Sequence, residues 1–170
     1  MIAYVGNDAE TSTTFNHGLA LALTNAENSV EWCSQKSEPC LGSWYKYATD
    51  AEGDMAGIAN TDALVAHTGH THTAATAARN YNSGTHPTGT SAWFLPSAGQ
   101  WVKMVSAAGG YATLRDNAGL SGYSNYWSST EEGTGYEDSW AWYYGFSDDY
   151  HVLDYGQKNK GYAVRSALAF

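Results

Sequence analysis

The 170 residues suffice for one domain with a sizeable core, and their formal charge of −9 comes from 17 acidic against 8 basic residues with no run of Lys or Arg. That balance excludes a basic, phosphate-neutralising surface and with it nucleic acid as a partner, and no window approaches the roughly 18 consecutive apolar residues of a membrane-spanning helix. Charged residues make up only 15% and aromatic residues 14%, with 13 Tyr and 7 Trp, so the surface is expected to be polar yet rich in rings.

At the N-terminus, "IAYVG" reads as a strand, and "MIAYVGNDAE" lacks the charged and apolar regions of a signal peptide. An export signal or anchor removed upstream is compatible with this start, so the missing leader does not assign a compartment. Cys33 and Cys40 enclose six residues in "CSQKSEPC", a spacing that suits a small disulfide loop better than the C-x-x-C pairs of a zinc site. A disulfide and two thiols stay equally open here, with a metal ranked behind both; an oxidised pair would argue for export.

The helices come next. "IANTDALVAH" offers Asn60 or Thr61 as N-cap, Leu64 and Val65 as buried positions and Gly69 as a stop. "THTAATAARNY" reads as a second, short helix ending before Gly84. The strongest helix signal lies in "WFLPSAGQWVKMVSAAGG": Ser97 and Gln100 have capping-box spacing, Trp101, Met104, Val105 and Ala108 repeat at helical period, and Gly109 and Gly110 end the run. Three histidines in "HTGHTHT", His67, His70 and His72, with His86 further on, could in principle bind zinc. With no Cys, Asp or Glu among them they are read as a polar loop.

From Ser121 onward strands and turns are expected. "WAWYYGF" alternates so that Trp140, Trp142, Tyr144 and Phe146 share an inner face, leaving Ala141, Tyr143, Gly145 and Ser147 outward. "SDD" supplies a turn, and "YHVLDYG" returns as a strand with Val152 inward and His151, Leu153 and Tyr155 opposite it. "YAVRSALAF" reads as one last strand whose natural partner is Ile2 to Val5. Helices followed by antiparallel strands make an α+β domain closed by its paired N- and C-terminal strands. No repeat or proline-rich linker divides it, so residues 1–170 are read as a single domain.

"WFLPSAGQW", "YWSSTE", "AWYYGF" and "VRSALAF", with "GLALAL", "DMAGIANTDAL" and "AARNY" upstream, resemble the blocks of bacterial C-type-lectin-fold domains, and especially the variable proteins of diversity-generating retroelements. The resemblance spans most of the chain. It implies a C-type-lectin-like fold with two main helices, and a variable ligand-binding region within residues 121–160 displayed on a fixed scaffold. In that family mutation targets adenines, so an Asn codon AAC reaches Tyr, Asp, Ser, Gly, His and Leu but not Trp, Lys, Glu or Met. The outward candidates Tyr143, Gly145, Ser147, Asp149, Tyr150, His151, Leu153, Asp154 and Tyr155 all belong to the accessible set. Tyr with Ser, Gly and Asp is also the chemistry of an antibody paratope, in which rings give contact area at small entropic cost and small polar residues adapt. Trp101, Trp127, Trp142, Phe146, Val164 and Leu168 are the expected scaffold.

The expected function is therefore receptor- or adhesin-type recognition of a protein or other macromolecule, extracellular or on a cell or virion surface, with oligomeric state left open. The alternatives are a non-diversified bacterial surface domain and, ranked behind it, a metal-dependent relative of formylglycine-generating enzymes that uses the histidine or acidic clusters. Enzymatic activity is not expected: the "WFLPSAGQW" block also resembles formylglycine-generating enzymes, but those hold copper with a cysteine pair in the C-terminal half, and no cysteine lies beyond Cys40. The E-P-N, Q-P-D and W-N-D motifs of calcium-dependent sugar binding do not occur, and the acidic stretches "EEGTGYED" and "SDDYHVLD" match no calcium loop. Ser128 and Ser129 have no placed base and are read as scaffold. No metal or cofactor is expected.

Overall fold

A computed structural model describes residues 1–12, 14–34, 39–133 and 139–170. Strands β1 (Ile2–Val5), β2 (Gly18–Leu21) and β3 (Glu27–Val30) lead into helices α1 (Ala48–Ala51), α2 (Gly57–Ala66), α3 (Thr73–Arg79), α4 (Ala98–Ala107) and α5 (Tyr111–Ala118). Strands β4 (Asn125–Glu132), β5 (Trp140–Gly145), β6 (Leu153–Gln157), β7 (Tyr162–Val164) and β8 (Ala167–Ala169) complete the chain. They form a three-stranded sheet, β1-β2-β8, and a five-stranded sheet, β3-β7-β4-β5-β6. Pairing is antiparallel except where β4 meets β7 at Tyr126 and Ala163. This is an α+β architecture, compatible with a lectin-like fold. Among the described residues no helix is long and apolar enough to cross a membrane.

Helix α4 begins where the sequence places it. Ser97 is the N-cap, its Oγ accepting from the Gln100 N–H at 3.4 Å while Gln100 Oε1 accepts from the Ser97 N–H at 2.9 Å. Trp101 and Met104 are fully buried, and the helix ends at Gly109 and Gly110, with φ of 82° and 132° that a side chain would resist.

Helix α2 starts earlier than expected. Neither Asn60 nor Thr61 caps it; both are buried inside it because their side chains serve tertiary bonds. Asn60 Nδ2 donates to Asp54 Oδ2 at 2.9 Å, and Thr61 Oγ1 accepts from the Leu95 N–H at 3.0 Å. The first residue is Gly57, where an added Cβ would lie 2.1 Å from Gln100 Oε1, so glycine permits this close approach. Leu64 is buried as expected, while Val65 is exposed.

The terminal strands share a sheet but do not pair with each other. β2, the "GLAL" of the sequence, lies between them, with Leu19 opposite Ala169 and Leu21 opposite Ala167. Leu19 and Leu21 are buried, so the inserted strand carries its own apolar anchors. The expected continuous strand "YAVRSALAF" is likewise divided, β7 in the large sheet and β8 in the small one. The break falls at Arg165, whose buried guanidinium donates to the carbonyls of Ala22 (3.0 Å) and Gly119 (2.9 Å). Ser166 Oγ donates to the Ala78 carbonyl at 3.1 Å. A buried charged donor needs several acceptors, and the chain leaves the ladder to present it to them.

The large sheet is covered on both sides. On one, Trp142, Tyr144, Phe146 and Leu153 pack with Trp101, Met104, Leu114 and Tyr126. On the other, Ala141 and Tyr143 pack with Trp127, Val164, Leu64, Leu95 and Trp32. The scaffold residues expected from the sequence, Trp101, Trp127, Trp142, Phe146, Val164 and Leu168, are all buried.

Candidate ligand-binding face

The register of β5 and β6 decides which of the nine candidate side chains reach solvent. Trp142 pairs with Tyr155, Tyr143 with Asp154 and Tyr144 with Leu153. Directly opposed residues share a face, so Leu153 and Tyr155 belong with the Trp142 side and Asp154 with the Tyr143 side. The strand phase expected from the sequence is thus reversed: Leu153 is buried, and Val152 is exposed in the turn.

Two further candidates leave the surface. Tyr143 is 6% exposed, its ring 4.8 Å from that of Tyr162 and 6.3 Å from that of Trp127. Burial pushes its phenol well above the ordinary tyrosine range. Gly145 is buried beneath the turn: an added Cβ would meet the Tyr150 carbonyl oxygen at 2.9 Å. The error lies in treating the second face of β5 as solvent, when a layer containing Trp32, α2 and α3 covers it.

The remaining six occupy the β5–β6 turn and the start of β6. Ser147 organises the turn, its Oγ accepting from the Tyr150 N–H at 2.8 Å and donating to the Tyr150 carbonyl at 3.0 Å. Asp149, Tyr150 and His151 are exposed; Ser147 and Asp154 are half-buried. The Tyr150 hydroxyl donates to Asp154 Oδ2, which also lies 3.4 Å from the Tyr143 hydroxyl. Tyr155, on the opposite side of β6 from Asp154, is exposed over rings it packs against edge-on, Trp142 at 5.3 Å and Trp140 at 5.6 Å. The six therefore do not make one flat face.

Helix α5 and the segment after it complete the surface. The His151 ring stacks on Tyr111 with centroids 3.7 Å apart and planes at 10°. Arg115 Nη1 donates to Asp148 Oδ1 at 2.6 Å and Arg115 Nε to Asp116 Oδ1 at 2.9 Å, so one guanidinium ties the helix to the turn. The bond from Arg115 holds the Asp148 carboxyl below the usual carboxylate range. Beside this pair a recess of about 400 Å³ is lined by Arg115, Gly122, Tyr123, Ser147, Asp148 and Asp149. Tyr123 is completely exposed at its rim.

Arg115, Tyr111 and Tyr123 did not emerge from the sequence. Helix α5 has only Leu114 and Ala118 buried, one i,i+4 pair, although Gly110 before it and a left-handed Gly119 after it bracket a helix. Tyr123 stands among Ser, Gly and Asn in "SGYSN", where an isolated ring with no apolar neighbours is the available clue.

The other sequence candidates also have places. The stretch "EEGTGYED" lies partly outside the described residues, but Glu131 is buried and ion-paired with the equally buried Lys158. It accepts from the N–H groups of Cys40 (2.9 Å) and Leu41 (2.8 Å), while burial pushes its carboxyl above the ordinary range. Cys33 and Cys40 stand as thiols with their sulfurs 3.6 Å apart. His86 is exposed, apart from the other three histidines.

No protein-family model and no curated protein matches the chain. Among solved structures it is similar to a fimbrial protein from Bacteroides ovatus, with a TM-score of 0.56 at 16% identity over 99% of this chain. It spans 39% of that protein, so the likeness concerns the fold of one part of a longer molecule.

Proposed function

We propose that the chain is a surface-displayed recognition domain that binds a protein ligand through the β5–β6 turn, α5 and the 121–124 segment. The observation that carries this reading is a recess lined by exposed Tyr123, the Arg115–Asp148 pair, Ser147 and Asp149, with Tyr150 exposed in the same turn and His151 stacked on Tyr111 of α5. Exposed tyrosines supply large contact area with few torsions to freeze, and hydrogen bonds and stacking pre-arrange the turn, which lowers the ordering cost of binding. The fold likeness to a fimbrial protein supports an extracellular, adhesin-like setting. The resemblance of the sequence to C-type-lectin variable proteins supports diversification. On this scaffold it would be confined to Ser147, Asp149, Tyr150, His151, Asp154 and Tyr155, since Tyr143, Gly145 and Leu153 serve packing.

The direct test displays two libraries on yeast, one randomised at those six positions and one at Tyr143, Gly145 and Leu153. The first should keep folded display and yield binders to unrelated proteins; the second should lose folded display. Equal tolerance of both libraries would refute the assignment. For the natural ligand, binding of the purified chain to a panel of extracellular proteins should weaken tenfold or more in Tyr123→Ala/Tyr150→Ala, with the melting midpoint lowered far less than in Tyr143→Ala. Undiminished binding by that variant would place the interface elsewhere.

A further inference from the structure

On the side of the large sheet that packs against α2 and α3, the start of α3 meets the cysteine-containing segment. His72, the residue before α3, brings its ring to Cys33 and Cys40, and one ligand atom from each of the three lies within 4.8 Å of the others. The three are 2%, 0% and 7% exposed. Neither ring nitrogen of His72 has a hydrogen-bond partner among the described residues. A buried imidazole with unsatisfied nitrogens is costly, and a group seated between the ring and the two sulfurs would satisfy the nitrogen that faces them.

We propose that Cys33, Cys40 and His72 form a zinc(II) site. Thiolate and imidazole are the donors zinc takes in tetrahedral sites, with Zn–S of about 2.3 Å and Zn–N of about 2.0 Å, which sets ligand atoms roughly 3.5–3.8 Å apart. The sulfurs already stand 3.6 Å apart, so closure needs only a movement of the imidazole by roughly 1 Å. Both cysteines are anchored from outside the cluster. The Trp32 and Cys33 N–H groups donate to the Lys158 carbonyl at 2.7 and 3.5 Å, and Glu131 accepts the Cys40 and Leu41 N–H groups. Lys158 Nζ lies 3.8 Å from Cys40 Sγ.

Charge also balances. One Zn²⁺ with two thiolates is neutral, and it adjoins the Glu131–Lys158 ion pair. Starting from thiols, binding releases two protons, one from each sulfur, and leaves His72 neutral with one nitrogen on the metal. His67, whose Nδ1 is also buried without a partner and whose ring lies 5.0 Å from that of His72, is the closer of the two neighbouring histidines for the fourth position. The sequence alone hides this site because 31 residues separate Cys40 from His72.

The test loads the full chain, purified under reducing conditions and stripped with a chelator, with zinc or cobalt(II). One zinc should remain per chain after gel filtration, proton release should accompany loading, and cobalt should give a thiolate charge-transfer band with the intense visible bands of a tetrahedral ion. Competition with a chromogenic chelator should show Cys33→Ser, Cys40→Ser and His72→Gln each weakening zinc at least about a hundredfold, since each removes one of three ligands. His86→Ala should bind as the parent does. The melting midpoint of the parent, but not of Cys33→Ser, should rise with zinc, a readout available even where a variant is less stable. Substoichiometric zinc, a cobalt spectrum without thiolate bands, or equal affinity in Cys33→Ser would overturn the proposal. So would a chain that emerges from an oxidising compartment with Cys33 and Cys40 joined in a disulfide and refuses zinc.

Discussion

Replacing Tyr143 with Ala separates a buried ring from a displayed one. Tyr143 is 6% exposed and packs between Trp127 and Tyr162, so nearly the whole side chain leaves water on folding. A tyrosine side chain buries roughly 150–250 Å², and at about 25 cal/mol per Å² this contributes about 4–6 kcal/mol. Measured aromatic-to-alanine truncations cost about 3–5 kcal/mol. For a chain of this length each kcal/mol moves the melting midpoint by roughly 2–4 °C, so Tyr143→Ala should melt roughly 6–20 °C lower. Tyr143→Phe should change stability by less than about 1 kcal/mol, because it loses only a marginal bond to Asp154 at 3.4 Å. Tyr150→Ala, with its ring 44% exposed, should cost well under half as much as Tyr143→Ala. Urea unfolding with a constant m-value checks all three. A Tyr143→Ala variant within about 1 kcal/mol of the parent would refute the two-sided burial of β5.

Trp142→Ala should cost about 3–5 kcal/mol, since the indole is fully buried and its Nε1 donates to the Tyr45 carbonyl at 3.0 Å; an unchanged unfolding midpoint would contradict that packing. Lys158→Ala should cost about 3–5 kcal/mol by leaving the Glu131 carboxylate buried without its cation, and Glu131→Gln/Lys158→Met should recover part of it; a larger loss in the double variant would sink the argument. NMR titration should find the Asp148 carboxyl ionising below the usual carboxylate range in the parent and returning toward it in Arg115→Ala. Because a depressed folded-state value binds fewer protons than the unfolded chain, this contact stabilises above the ordinary carboxylate pKa and is lost as pH falls through the folded value. With Asp148 fully exposed, the effect on global stability should be small.

Much of the fold was legible because its signals are local. The Ser97 and Gln100 capping box, the Trp101 to Ala108 periodicity and the Gly109–Gly110 stop need no distant partner, and α4 follows them. The period of two in β5 correctly put Trp140, Trp142, Tyr144 and Phe146 on one face, although Trp140 at the strand's start is only half-buried, because alternation is a property of the strand itself. Alternation says which residues share a face but not what covers the other face, so Tyr143 could be placed only once Trp127, Tyr162 and the layer beyond them were in position. The phase of β6 depends on register across a turn, and one residue of slip exchanges Val152 for Leu153. β2 could separate the terminal strands because pairing is a choice among distant candidates. The same holds for chemistry. The sequence determined that the chain has thiols, imidazoles and surface tyrosines; only the tertiary structure decided that His72 meets Cys33 and Cys40 and that Arg115 meets Asp148, since these encounters join segments whose spacing in the chain carries no geometric information.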